Sequence, residues 1–331
     1  MKISEIGDGF VYMWCKTKIN KSHPPMFVKG QIIEIFFKLD EFWKKFSHFS
    51  PKCIEQTDRK KRHYHRDGKM SVPEIMLIMI LFHSSGYRCL KHFYLNEVCG
   101  NMKDMFPNVV SYNRFTELQK VSLLPLFAFF RTQLRGKCTG ISFVDSTPLR
   151  VCKNQRIRQH KVFAGFAERG CCSMGWFYGF KLHLICNERG ELLSFAFTKG
   201  NIDDRKPLED KQFIKDIYGK LVGDRGYISK SLFRTLFVDG IHLLTRLKTN
   251  MKGSILSAGD SLLIRKRAII ESVNDELKNI AQVEHSRHRS LHDFLVNMMS
   301  AISAYCLFPK KPSIRLEPVS DTESCRQLCL F

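Results

Sequence analysis

At residues 176–197 the chain reads WFYGFKLHLICNERGELLSFAF, two apolar runs joined by a short polar turn. Runs rich in aromatic and aliphatic residues and bounded by Gly and Asn are typical of strands. The turn Asn187-Glu188-Arg189-Gly190 predicts a hairpin, so the two strands should be antiparallel. Farther along the chain, β-rich runs are separated by helical patterns, which favour parallel crossover connections. The sequence therefore predicts a sheet that mixes antiparallel and parallel strands.

The elements around this hairpin follow from the same patterns. Strands are predicted at Gly140 to Val144, Trp176 to Cys186, Leu192 to Phe197, Lys220 to Gly223 and His242 to Arg246. Helices are predicted at about Pro207 to Tyr218, Ser229 to Val238 and Leu262 to Ala281. This α/β order is the one that a ribonuclease-H-like mixed sheet produces, although periodicity alone does not single out that fold.

Before residue 138 the pattern is helical. Apolar residues recur with lysines between them from Ile32 to Phe49, and Ser71-Val72-Pro73-Glu74 is a capping box that predicts the start of a helix ending near His83. Further helices are predicted at Leu90 to Val98, from Ser111, and at Ser122 to Leu134. We therefore divide the chain into a poorly defined extension at 1–28, a helical region at 29–138, an α/β region at 139–310 and a tail at 311–331.

The charge of the chain indicates a polyanionic partner. Its 331 residues include 53 Lys and Arg against 32 Asp and Glu, a formal charge of +21. The cations are spread along the chain without a basic amphipathic anchor helix, which favours nucleic acid over a membrane surface. The longest apolar run, Ile75 to Phe82, is far shorter than the ~20 residues that cross a bilayer. A generally basic protein without a nucleic-acid partner is the alternative.

The cysteines indicate neither a zinc knuckle nor a secreted disulfide scaffold. The chain has 12 cysteines but no C-x2-C pair. Glu5 and Asp8 interrupt the N-terminal residues, where a secretory signal would need an apolar core. These features predict a reducing, cytoplasmic location.

Two aspartates are predicted to emerge at the ends of neighbouring strands. Asp145 follows the apolar run Ile141 to Val144 and precedes Pro148, which cannot continue a central strand. Asp224 follows Leu221-Val222-Gly223 in the same way. Each aspartate taken alone is more often a turn-forming residue, because its side chain bonds the backbone two residues on. Together, at adjacent strand ends, they are candidates for a shared site.

A third carboxylate is available on the amphipathic helix predicted over residues 266–278. Glu271 shares a polar face with Arg267 and Lys278. The simpler alternative is a solvated Arg–Glu pair worth about 0.3 kcal/mol. Converging carboxylates repel one another unless a cation lies between them, and their hard oxygen ligands suit Mg²⁺ or Mn²⁺. The three acids therefore predict a site for two such ions, of the kind that supports in-line phosphoryl displacement.

The sequence resembles DDE transposases of bacterial insertion sequences, and the insertion-sequence 982 family in particular. The resemblance covers about residues 30 to 313. It rests on the Arg267-x3-Glu271-x6-Lys278 pattern and on six blocks in order: Val144 to Leu149, Arg158 to Phe163, Gly175 to His183, Gly200 to Arg205, Gly223 to Tyr227 and Glu284 to Ser290. In the wider superfamily a Tyr lies three residues before the Arg; that position is Ile264 here, so no role of that Tyr is carried over.

The resemblance implies a function and a set of residues. Asp145, Asp224 and Glu271 would be the catalytic, metal-binding acids, and Arg267 and Lys278 would contact the DNA of the transposon end. Other candidate DNA contacts are Arg205, Arg225, Lys161, Arg287, Arg289 and Arg114. Arg114 lies on a polar segment suited to a recognition helix, so residues 29–138 are expected to form a helix-turn-helix-like domain that binds DNA ends. An ordinary helical bundle is the alternative for that region.

The expected activity is transposition by an Mg²⁺-dependent enzyme. The protein would bind the terminal inverted repeats of its element, cleave the ends, and join the 3′-hydroxyls to target DNA as a homodimer or larger assembly in the bacterial cytoplasm. A nuclease without strand transfer and a decayed copy that only binds DNA are the alternatives. Two rival metal sites are less favoured: Asp203-Asp204, expected instead near DNA, and the histidines His285, His288 and His292, which lie among arginines.

Overall fold

The computed structural model describes residues 27–49, 69–246, 257–284 and 288–314. Its N-terminal part is helical, as predicted. The helices are α1 (Lys29–Phe49), α2 (Val72–Ser84), α3 (Leu90–Phe93, continued as a π-helix over Tyr94–Asn101), α4 (Tyr112–Leu118) and α5 (Leu123–Phe129, continued as a π-helix over Phe130–Leu134). A 3₁₀ turn at Gln119–Ser122 joins α4 to α5.

The capping box at the start of α2 is confirmed. The backbone N–H of Ser71 donates to Glu74 Oε2 at 2.6 Å, and the N–H of Glu74 donates to Ser71 Oγ at 3.4 Å. These bonds satisfy backbone groups that a helix start leaves without partners. Almost every residue from Pro73 to Ser84 is buried, so α2 is a central helix of the core.

The second half of the chain forms a six-stranded sheet that mixes parallel and antiparallel pairs. The strands are β1 (Ile141–Cys152), β2 (Glu168–Cys172), β3 (Gly175–Asn187), β4 (Leu192–Lys199), β5 (Gly219–Gly223) and β6 (Ile241–Thr245). β3 pairs antiparallel with β1, β2 and β4, whereas β5 pairs parallel with both β1 and β6. The predicted mixed sheet is confirmed.

Strand β1 is longer than predicted. It does not end at Val144 but runs on through Pro148 to Cys152. Its parallel pairing with β5 stops at Phe143, opposite Val222, and beyond that point β3 is its one partner strand among the described residues. Because one side of this outer half is free of a neighbouring strand, proline is tolerated there. Asp145 therefore lies inside a strand, at the point where its second neighbour ends.

Two other predicted helices need correction, and one strand was not predicted. Residues Pro207 to Tyr218 form a short 3₁₀ turn at Lys206–Glu209 followed by turns, with Asp216 at a φ of 65°, which a helix does not allow. Strand β2 was not predicted, because its sequence has little β-branched or aromatic character. The helix predicted at Leu262 to Ala281 is divided at Lys266 and Arg267 into α7 (Ala258–Arg265) and α8 (Ala268–Asp275).

The last helices follow the sheet in sequence and cover one of its faces. α8 continues as a π-helix over Glu276–Ile280, and α9 spans Leu291–Leu307. On the other side of the sheet lies α6 (Lys230–Val238), which starts at its predicted cap Ser229. Both faces of the central strands are thus buried by other parts of the chain.

The helical part and the sheet share a continuous core. Helix α9, from the C-terminal part of the chain, packs against α2 and α5. Buried residues of α1, α2, α8, α9 and one sheet face belong to the same apolar cluster. The boundary near residue 138 stays a prediction, but the two sides of it are packed together.

Two further features concern the described residues alone. No helix among them is long and apolar enough to cross a membrane. The cysteines in the described ranges are all free thiols, and Cys171 and Cys172 are adjacent in β2.

Candidate active site

The two aspartates are brought together by the parallel pair β1–β5. Phe143 lies opposite Val222, and Asp145 and Asp224 each follow two residues later. Gly223 allows β5 to lie close to β1, since a Cβ there would be 3.2 Å from Val144 Cγ1 and 3.1 Å from the Tyr227 ring. Asp224 caps a 3₁₀ turn by accepting the N–H of Arg225 at 2.7 Å. The carboxylates of Asp145, which is mostly buried, and Asp224, which is exposed, therefore lie close enough for the charge of Asp224 to affect Asp145.

Glu271 reaches the same region from α8, which packs on β1. Arg267, just before this helix, connects the acids: its Nη1 lies 3.9 Å from Asp145 Oδ1, and its Nη2 donates to Glu271 Oε1. The Arg–Glu pair anticipated as the simple alternative is thus present. This pair does not separate Glu271 from Asp145, since Arg267 lies against the carboxylates of both residues.

Asn274 is a member of the site that the sequence analysis missed. Its Nδ2 donates to Asp145 Oδ2 at 2.9 Å, and its side chain is buried against β1. Asn274 lies three residues after Glu271, so both project from one side of the helix. That spacing was the signal by which Asn274 could have been found.

The site destabilises the ionised form of Asp145. The pKa of this carboxyl is raised to about 6, chiefly by burial and to a smaller extent by the nearby charges of Asp224 and Glu271, while Arg267 opposes the rise. Each acid is therefore close enough to affect Asp145. Clustered carboxylates repel one another, which favours protonation when no cation is near. A divalent metal ion bound between them stabilises their ionised form.

The acids are not arranged as a finished metal site. In the described ranges, no three acidic, His or Cys side chains are positioned to hold an ion as they stand. Glu271 is paired with Arg267 instead, and its side chain is more than half exposed. The chemistry of the donor set fits Mg²⁺ or Mn²⁺, provided that the Glu271 side chain leaves Arg267 when the ions bind.

The face of the sheet opposite Asp145 carries a second polar cluster, which the sequence analysis did not predict. Lys181 donates through Nζ to Asp204 Oδ1 and to the carbonyl of Ile202, both at 2.9 Å. His183, two residues along β3, is bonded to Thr198 Oγ1 at 2.8 Å, and burial lowers its pKa to about 4. These bonds hold the loop after β4 on the face of the sheet opposite the candidate site.

The two carboxylates of this loop both have cationic partners. Asp204 is bonded to Lys181, and Asp203 to Arg205 at 2.6 Å. The hydrogen bonds from Arg205 lower the pKa of Asp203 to about 2. Their predicted place near DNA rather than in a metal site stays a prediction, with this pairing in its favour.

Replacing Asp204 with Asn should destabilise the protein measurably. Lys181 is 11% exposed and would lose the carboxylate to which it is bonded, so the free energy of unfolding should fall by about 1–3 kcal/mol. Denaturant unfolding at pH 7 measures the change. Asp203→Asn is the matched control, because that ion pair is largely exposed and should be worth less than about 1 kcal/mol. Equal losses in the two variants would contradict the structural role of the Lys181–Asp204 pair.

The predicted DNA-contacting cations differ in their surroundings. Arg225, Lys161 and Arg289 are exposed, whereas Lys278 lies 3.7 Å from Glu284. Arg205 and Arg114 are paired with Asp203 and Glu117. Arg287 lies outside the described residues.

Only part of the predicted histidine cluster is described. His285 falls outside the described ranges, His292 bonds the carbonyl of Lys120 at 2.8 Å, and His288 lies against the Phe294 ring.

Comparison with known proteins identifies the domain that contains these acids. The family described as "Transposase DDE domain" matches residues 135–291. Among solved structures, the piggyBac transposase synaptic complex with hairpin DNA is similar with a TM-score of 0.41 and 8% identity, over 89% of this chain and 76% of that one. The Mos1 strand transfer complex has a TM-score of 0.22 and 11% identity, over 83% and 87%.

No curated protein matches the sequence. The family match covers β1 to the start of α9 and contains Asp145, Asp224 and Glu271. The narrower resemblance to the insertion-sequence 982 family stays a prediction. Residues 135–291, which include the three acids, are similar to the DDE domain of transposases.

Proposed function

We propose that this protein is a DNA transposase that cleaves the ends of its own element and joins the resulting 3′-hydroxyls to target DNA. The observation that carries the proposal is the grouping of three acids from β1, β5 and α8, in which Asp224 and Glu271 both lie within electrostatic range of Asp145. The DDE domain match supports the reaction class. The strand order β4-β3-β1-β5-β6, antiparallel and then parallel, supports a ribonuclease-H-like catalytic domain.

Each residue of the site has a proposed task. Asp145, Asp224 and Glu271 would hold the divalent ions, and Asn274 would orient Asp145 through its amide N–H. When bound, Mg²⁺ or Mn²⁺ would help deprotonate the attacking water or 3′-hydroxyl and stabilise the leaving oxygen. Arg267, once separated from Glu271, would bind a phosphate oxygen, because a guanidinium forms charge-assisted bonds with phosphate.

The DNA and the assembly are also part of the proposal. The net charge of +21 supports a long contact with duplex DNA. We expect the terminal inverted repeats to be bound with the help of residues 29–138, and two ends to be held by a homodimer or larger assembly.

A two-stage assay tests the function. Duplexes containing the DNA that borders the reading frame are incubated with the protein and Mg²⁺, and then pre-cleaved ends are supplied with a target plasmid. A transposase cuts in the first stage and joins ends in the second, and chelation of the metal stops both. Cutting without joining would identify a nuclease. Binding without either reaction would indicate a decayed copy.

A further inference from the structure

The connection between β1 and β3 presents an unusual concentration of positive charge. Residues 153–174, called here the basic connection, contain five Lys or Arg and one carboxylate, Glu168. All five cations are exposed: Lys153, Arg156, Arg158, Lys161 and Arg169. None of them forms an ion pair with a carboxylate in the described part of the chain, since Glu168 is paired with Lys199. Unpaired cations at this density raise the local positive potential and favour a polyanion.

Exposed apolar side chains accompany these cations. Trp176 is 58% exposed, and Met174 and Phe166 are also exposed. The guanidinium of Arg169 lies over the Trp176 ring, 5.2 Å from its centroid. An aromatic ring stacked against an arginine restricts the motion of the guanidinium but leaves its positive charge. The guanidinium is therefore positioned to bind an anion.

The basic connection is fixed on the face of the sheet that carries Asp145. Phe163 is fully buried and packs against Phe180 of β3 and Phe294 of α9. Phe180 lies opposite Leu149 of β1. Because side chains alternate along a strand, Leu149 and Asp145 project to the same face. The connection is also bonded to the sheet through Asn154 Nδ2, which donates to the carbonyl of Trp176 at 2.9 Å.

Another cation lies between the candidate active site and this connection. The Glu284 carboxylate accepts the backbone N–H of Arg150 at 3.0 Å. This bond lies on the edge of β1 that β5 leaves free. Lys278 lies 3.7 Å from the second oxygen of Glu284. Along β1 from Asp145, the positive charges therefore come in the order Arg267, Lys278 and the basic connection.

The spacing along β1 matches a length of DNA. Cys152, where the strand ends, is seven residues beyond Asp145, or about 23 Å at a rise of ~3.3 Å per residue. The cations of the connection begin just beyond it, at about 23–30 Å. Duplex DNA rises about 3.4 Å per base pair, so this distance corresponds to about 7–9 base pairs.

We infer that the basic connection binds the backbone of duplex DNA about 7–9 base pairs from the phosphate that is cleaved at Asp145. This inference rests on the proposed function, because it takes Asp145 as the position of the reacting phosphate. Arg156 and Arg158, on the 3₁₀ turn Asn154–Gln159, and Arg169, held by Trp176, are the principal contacts. The basic connection would thereby determine the length of duplex beside the cut that is required for binding.

The test compares two double variants that remove equal charge. Arg156→Gln with Arg158→Gln removes two cations of the connection, and Lys230→Gln with Arg234→Gln removes two exposed cations of α6, on the opposite side of the sheet. The probe is a 40-base-pair duplex, about 136 Å long at 3.4 Å per pair, taken from the DNA that borders the reading frame. Dissociation constants are measured over a range of salt concentrations, with thermal melting to establish that each variant is folded.

The connection variant should bind the duplex more weakly, and the slope of log K against log salt should fall by about 2, near 0.9 for each lost phosphate contact. The α6 variant should keep the wild-type slope. Hydroxyl-radical footprinting should show lost protection at 7–9 base pairs from the cut and nowhere else. Equal slope changes in both variants, an unchanged slope in the connection variant, or a larger loss on single-stranded than on duplex DNA would overturn the inference.

The outcome can be separated from that of the proposed function. If the wild type cleaves and joins DNA but the connection variant keeps its slope, only the role of the connection fails. If the wild type binds with the predicted salt dependence but does not cut, the binding surface stands and its distance from a reacting phosphate is wrong.

Discussion

Asp145→Asn is expected to reduce DNA cleavage by at least about 10³-fold, because loss of one metal-holding carboxylate should remove about 4 kcal/mol of transition-state stabilisation. Asparagine keeps the shape of the side chain, and its amide oxygen can still accept the N–H of Asn274. DNA binding should therefore change little. Gel analysis of cleaved ends, with binding measured in parallel, gives both quantities. Retained cleavage would remove Asp145 from the catalytic set.

The same variant should be more stable than the wild type when no metal is present. Because the pKa of Asp145 is raised to about 6 in the folded protein, the stability linked to this group is present below its unfolded pKa near 4 and is lost as the pH rises through 6. At pH 7.5 the melting temperature of Asp145→Asn should exceed that of the wild type by about 2–5 °C. The difference should disappear at about pH 4.

Added Mg²⁺ gives this experiment a second readout. It should raise the melting temperature of the wild type and leave that of Asp145→Asn almost unchanged, since only a bound ligand stabilises the folded state. Asp239→Asn, at the exposed C-terminal end of α6, is the matched control and should behave as the wild type. A metal response that survives in Asp145→Asn would place the ions elsewhere.

Phe294→Ala should cause the largest loss of stability, about 3–5 kcal/mol. Phe294 is 2% exposed and lies between Phe163 of the basic connection and Phe180 and Phe197 of the sheet. Removing its ring leaves a cavity where three parts of the chain meet. Denaturant unfolding followed by circular dichroism measures the change. Phe237→Ala, at a ring that is 63% exposed on α6, should change stability by less than about 0.5 kcal/mol.

The shape of the unfolding curve carries additional information. Because α9 packs against α2 and α5, the helical part and the sheet should unfold in one transition, shifted as a whole in Phe294→Ala. Two transitions, with only one displaced by the substitution, would show that residues 29–138 fold as an independent domain.

The sequence predicted those elements whose causes are local. The cap at Ser71 needs only a serine and a glutamate three residues apart, and the hairpin at Asn187 needs only a turn between two apolar runs. The continuation of β1 through Pro148 depends on where β5 stops, which no local pattern records. The helix predicted at Pro207 to Tyr218 had suitable spacing but is replaced by turns.

The candidate site shows the same division. Asp145, Asp224 and Glu271 could be predicted because each follows a recognisable strand or helix pattern. The polar cluster on the opposite face of the sheet could not be predicted in this way. Lys181 and Asp204 are 23 residues apart and meet only when the loop after β4 folds back beneath β3.

The packing of α9 on the N-terminal helices also affects the order of events during synthesis. Residues of α2 and α5 leave the ribosome long before Leu291–Leu307, which complete their core. At about 5–20 residues per second, α2 and α5 wait for roughly 8–40 s. A nascent chain therefore cannot finish the fold around its acidic cluster before translation has nearly ended, and ribosomes that stop early release products without a complete core.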